Sequence, residues 1–125
     1  MSCTALFTDR SQTPPEILRA WELLAAELPL STEKTPGCRE VIFRKGGNLQ
    51  IASADQSTVI TYRTLTEAIR GTGLALAGVS SADEKCPFNR FGVMLDQSRT
   101  AVMNMDFARK TLRNLALAGY NRVFL

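Results

Sequence analysis

Residues 90–125 read RFGVMLDQSRTAVMNMDFARKTLRNLALAGYNRVFL: an apolar run, a stretch with apolar residues at helical spacing, and a second apolar run. That succession is one strand–helix–strand step of a parallel sheet, and such a step needs further strands before both of its own are buried. The expectation is therefore the opening of a larger parallel α/β body, with Val123, Phe124 and Leu125 at a cut edge rather than a finished one. Phe91 to Leu95 is apolar enough for a strand buried on both faces. Asn104 is placed to cap the helix, and Asp106 favours its positive end. Phe107, Leu112, Leu115, Ala116 and Ala118 supply a face toward the sheet, and Gly119 supplies the stop.

The chain before residue 86 reads differently. Thr13-Pro14-Pro15-Glu16 has the form of a capping box with proline at the first helical position. Ile17, Leu18, Trp21, Leu24, Ala25 and Leu28 then recur at helical spacing, with Trp21 as a core anchor and Pro29 as the end. Two strand patterns, Arg39 to Lys45 and Leu49 to Ser53, flank Gly46-Gly47-Asn48 and predict a β-hairpin. Ser57 to Tyr62 predicts a third strand. Thr64-Leu65-Thr66-Glu67 is a second capping box, opening a helix that contains Gly71 and Gly73. Glycines inside a helix weaken it and fit where another backbone comes close. The order α-β-β-β-α predicts an α+β unit over residues 1–85, a small antiparallel sheet with helices on one face. The polar segment Gly78 to Pro87 separates it from residues 88–125.

Composition removes several chemistries. The sequence has no histidine, which excludes a histidine base, a Ser-His-Asp triad and histidine-containing zinc sites from this segment. Cys3, Cys38 and Cys86 have neither metal-ligand spacing nor a disulfide pattern, so no metal and a reducing, cytoplasmic setting are expected. No cofactor motif is present, and Gly46-Gly47 lacks the lysine pattern of a phosphate loop. No apolar run approaches the roughly 18–20 residues that span a bilayer, so no membrane partner is expected. The net charge of +3 is scattered, and the one basic cluster, Arg109, Lys110 and Arg113, reads as a solvated helix face; no nucleic-acid partner is expected.

Asp96, Ser98 and Arg99 follow the strand at Phe91 to Leu95. In a parallel α/β barrel polar groups there are candidate binding residues, and they equally suit a structural ion pair or a loop cap. The run Gly92-Val-Met-Leu-Asp-Gln-Ser-Arg99, continued by Thr-Ala-Val-Met103, resembles the opening barrel strand of family 20 glycoside hydrolases, the β-N-acetylhexosaminidases, most of all a divergent bacterial branch. Ala118-Gly-Tyr-Asn-Arg-Val-Phe-Leu125 resembles the second strand. Arg70-Gly-Thr-Gly-Leu-Ala-Leu76 is similar to a run in the last helix of the small domain that precedes that barrel.

The resemblance implies a (β/α)8 barrel that begins near residue 88, behind an accessory domain with no part in the chemistry. It implies retaining hydrolysis of terminal β-linked N-acetylhexosamine, in which the sugar's 2-acetamido oxygen is the nucleophile, with an N-acetylhexosamine-containing glycan as partner. The Asp-Glu pair that orients the acetamide and protonates the leaving group follows a later strand, so no catalytic residue is expected here. The resemblance implies sugar-supporting roles for Asp96 and Arg99. Arg90 is the counterpart of an arginine that holds sugar hydroxyls, displaced by one position because Phe91 intervenes. A one-residue shift on a strand reverses side-chain direction. The rival expectation is a complete small α+β interaction protein that pairs its last strand with a partner. The apolar runs Val93-Met94-Leu95 and Val123-Phe124-Leu125, with no neighbouring strands, are expected to be buried by self-association or against the chain's own first domain.

Overall fold

In the computed structural model, which describes residues 5–86, 90–95 and 103–124, the chain builds a six-stranded mixed sheet and a separate two-stranded one. The large sheet starts with two elements too short to carry a periodic signal: β1 (Leu6–Phe7) and, after helix α1 (Pro15–Ala25), β2 (Leu30–Ser31). They pair in parallel, Leu6 opposite Leu30, as a small strand–helix–strand step. Next come β3 (Arg39–Lys45), β4 (Leu49–Ser53), β5 (Ser57–Tyr62), helix α2 (Leu65–Leu76) and β6 (Ser81–Glu84). The strand order is β2-β1-β3-β5-β4-β6.

That order corrects two expectations. Arg39 to Lys45 and Leu49 to Ser53 do not form a hairpin, because β5 lies between them. β3 and β5 pair in parallel from Glu40–Ser57 to Lys45–Tyr62, and the antiparallel hairpin is β4–β5, closed by Ala54 N–H to the Ser57 carbonyl at 2.8 Å. Gly46-Gly47-Asn48 instead carries the chain over the end of β5. Gly46 N–H donates to the Tyr62 carbonyl at 2.8 Å, and a Cβ there would press on the Thr61 methyl, so a larger residue would have to turn that side chain aside. The sheet is accordingly mixed and mostly parallel, antiparallel only along β5-β4-β6, rather than antiparallel throughout.

Both helices cover one face. β4 and β5 alternate buried and more open positions, sending Leu49, Ile51, Thr58, Ile60 and Tyr62 inward, as expected for a sheet with one covered side. Trp21 of α1 is 1% exposed, stands edge-on to Phe43 at 5.9 Å, and donates its indole N–H to the Ser31 carbonyl at 2.9 Å. Gly71 of α2 lies flat over the sheet: a Cβ there would meet Ile60 Cγ2 at 2.6 Å.

The two capping boxes fare differently. Thr64 accepts from Glu67 N–H at 3.3 Å, and the Glu67 carboxylate reaches back to Arg63 N–H at 2.8 Å. The first does not form. Pro14 occupies the cap position of α1 with no side-chain cap, and Thr13 is drawn inward to donate to the Asp9 carbonyl and to share a 2.7 Å bond with Thr8. Ahead of it, Ser11 donates its hydroxyl and amide to Asp9, holding that carboxyl below the ordinary carboxylate range.

The second sheet pairs β7 (Gly92–Met94) with β8 (Arg122–Phe124) in parallel, with helix α3 (Met105–Leu117) between them in sequence. Asn104 caps α3 by accepting from Phe107 N–H at 2.8 Å, and Gly119 turns the chain with φ +98°. The expected burial of β7 on both faces is not met: Gly92 and Met94 are exposed, because two strands and one helix cannot enclose them. Phe107 and Leu112 likewise point outward, while Ala116 and Leu117 pack toward the first core.

Candidate functional site

The three candidate residues of the sequence flank β7, so the two ends of the β7–α3–β8 step are where their setting has to be sought. At the amino end the strands are tied by Asn121. Its side-chain oxygen accepts from Phe91 N–H at 2.8 Å, while its own N–H and that of Arg122 both donate to the Phe91 carbonyl, at 2.8 and 3.3 Å. Phe91 and Tyr120 stack over this knot with ring centres 4.3 Å apart. Gly92 allows the close pairing, since a Cβ would sit 2.9 Å from that of Arg122. Asn121 was not among the candidate residues of the sequence, because its role depends on where Phe91 lies across the gap. Asn121→Ala should cost about 1 kcal/mol, the net worth of one internal hydrogen bond, and hydrogen exchange should show Phe91 and Gly92 amides losing protection first.

Ligands of open parallel sheets and barrels gather at strand carboxyl ends, where fixed backbone geometry presents loop side chains. Here that end is marked by Leu95, whose N–H donates to the Phe124 carbonyl at 2.7 Å. Asp96 and Arg99 follow it and lie outside the described residues. Arg90 is exposed and sits at the opposite, amino end. Five residue steps at ~3.3 Å each separate it from Leu95, so Arg90 and the carboxyl end are about 16 Å apart. The structure thus places one of the three candidates, Arg90, at the amino end of β7.

Two clefts indent the surface away from that end. One, of about 700 Å³, lies beside Lys34, Cys38, Arg39, Asp55 and Ser80; its arginine is spent on the carbonyls of Ala54 and Asp55, at 2.6–3.1 Å. The other, of about 540 Å³, opens between the start of α2, β6 and the amino end of β7–β8. Lys85 lines it beside two ion pairs, Arg70 with Glu84 at 3.3 Å and Arg63 with Glu67 at 3.6 Å. Neither cleft gathers a carboxylate pair set up for proton transfer. Among the described residues no group of three His, Cys, Asp or Glu side chains could hold a metal ion, and no helix is long and apolar enough to cross a membrane.

No family model matches this sequence, and no curated protein matches it either. Among solved structures the chain is similar to the GH20 β-N-acetylhexosaminidase from Streptomyces coelicolor A3(2), with a TM-score of 0.62 at 18% identity. The likeness covers 96% of this chain and 29% of that one, so this chain spans under a third of the length of the enzyme it is similar to. At that identity it is a likeness of fold. It takes in both the six-stranded sheet and the β7–α3–β8 step.

Proposed function

We propose that this chain is the amino-terminal portion of a β-N-acetylhexosaminidase-like glycoside hydrolase. Residues 1–85 form its accessory domain and residues 88–125 the first β-α-β unit of its catalytic (β/α)8 barrel. The observation that carries the reading is the fold likeness over nearly the whole chain, with one short stretch of sequence, Gly92 to Arg99, supporting it independently.

On this reading the whole enzyme, cytoplasmic in setting, removes terminal β-linked N-acetylhexosamine from a glycan with retention. The substrate's acetamide oxygen attacks the anomeric carbon, and the leaving oxygen takes its proton from a glutamic acid whose pKa is raised for that work. That acid and its aspartate neighbour belong to a later strand, so the portion described here is inactive by itself. Its own contribution is support. Asp96 and Arg99, directly beyond the carboxyl end of β7, are the groups proposed to hold the sugar site in shape. Arg90, at the other end of β7, would meet a sugar only at a separate position.

Reading the native gene beyond the Leu125 codon tests the proposal. A long open frame with an adjacent Asp-Glu pair after a later strand supports it, as does release of chromophore from a chromogenic N-acetyl-β-glucosaminide by the long protein but not by the 125-residue chain. A stop codon directly after Leu125 overturns it in favour of a small interaction protein that pairs through β8, whose Phe124 is 57% exposed.

A further inference from the structure

Helix α3 carries apolar residues on more than one side, yet none of its thirteen residues is buried. β7 and β8 each run exposed, half-buried, exposed. A single helix over two three-residue strands encloses no interior, and so small a sheet is not stable by itself in water. Its order has to come from outside.

Three contacts supply it, all on one side of α3. At the first, α2 and α3 meet across Gly73, where a Cβ would lie 3.0 Å from the Leu117 carbonyl oxygen and 3.3 Å from the Leu117 Cβ. The helix backbones are as near as the missing side chain allows, and Ala116 and Leu117 reach the core of the large sheet through this gap. At the second, the Arg70 methylenes run 3.6–4.0 Å from the place a Gly119 Cβ would take, and the guanidinium continues to Glu84 of β6. At the third, Arg113, half-buried, donates to the exposed Glu27 just beyond α1 at 2.6 Å.

We infer that this glycine seam is a docking device: the β7–α3–β8 step borrows its order from the helices of the large sheet and opens as a unit when the seam is broken. The inference stands whether or not the glycosidase reading does. It makes α2 the element that sets the direction in which any further strand beside β8 would be laid down.

Hydrogen exchange on the whole 125-residue chain tests it. In Gly73→Val, amides of residues 105–124 should exchange at least about tenfold faster, while those of β4 and β5 change little and the Trp21 fluorescence melt stays where it was. Unchanged protection in α3 would overturn the inference, since the step would then be stable without the seam. Equal acceleration through the whole chain would also overturn it, because the two parts would open only together. A gentler pair guards against misfolding. Glu27→Gln and Arg113→Gln should each speed exchange in α3 alone, and the double variant no more than either single one. Additive effects would remove the third contact from the device.

Discussion

Trp21→Ala should lower the stability of this chain by about 3–5 kcal/mol, the cost of emptying a buried tryptophan site. The ring is the largest fully buried side chain and joins three elements: it rises from α1, abuts Phe43 of β3 edge-on, and donates to the Ser31 carbonyl of β2. Against a total of about 5–15 kcal/mol for a domain of ordinary size, that loss is about a fifth of the whole or more. Urea denaturation followed by far-ultraviolet circular dichroism measures it. Trp21→Phe separates the two contributions: it keeps most of the apolar contact and forfeits the hydrogen bond, so it should cost distinctly less and leave the slope of the denaturation curve unchanged. A loss under about 1 kcal/mol for Trp21→Ala would mean that α1 is not anchored through this ring.

Gly71→Val should be nearly as damaging, for the opposite reason. The Cβ alone would fall 2.6 Å from Ile60 Cγ2 and 3.1 Å from Leu49 Cδ1, and Ile60 is fully buried within the sheet. Overpacking of that kind costs about 3 kcal/mol where neither side gives, and valine adds helix strain. The check is a cycle with Ile60→Ala, which by itself opens a cavity costing about 2–5 kcal/mol. Combined, each change should relieve the other, so the double variant should be more stable than the sum of the two losses predicts. Strict additivity would show that α2 rides higher over the sheet than the structure has it.

Where physical signals were local, the sequence foretold the structure. The period of Ile17, Trp21 and Leu24, the alternation in β4 and β5, the Thr64 and Asn104 caps and the Gly119 stop are each settled within a few residues of themselves. The misses were matters of partnership. Leu6–Phe7 and Leu30–Ser31 are strands only because they find each other and β3, and Ser81–Glu84 is polar because it lies at an edge. Nothing within Arg39–Lys45 or Leu49–Ser53 announces that a later segment will come between them. Thr13 left its expected cap because Thr8 and the Asp9 carbonyl competed for the same hydroxyl, a contest set by the fold of the preceding loop. Of the candidate site, the strand–helix–strand framework was legible in its spacing, whereas the knot at Asn121 was not, since it depends on where Phe91 lies across the gap.

The crossing of Gly46-Gly47-Asn48 over the end of β5 has a consequence for a nascent chain. As residues leave the ribosome, β3 and β4 emerge first, already joined, and have no hydrogen bonds to exchange with each other. They are the two walls of an empty slot. β5 must complete both ladders in one event, with Ile60 closing the centre, and before it arrives β4 has no partner in the large sheet. A pause in translation that leaves β4 outside the exit tunnel and β5 still within it would therefore expose strand edges on both sides of the slot, open to a strand from any neighbouring chain.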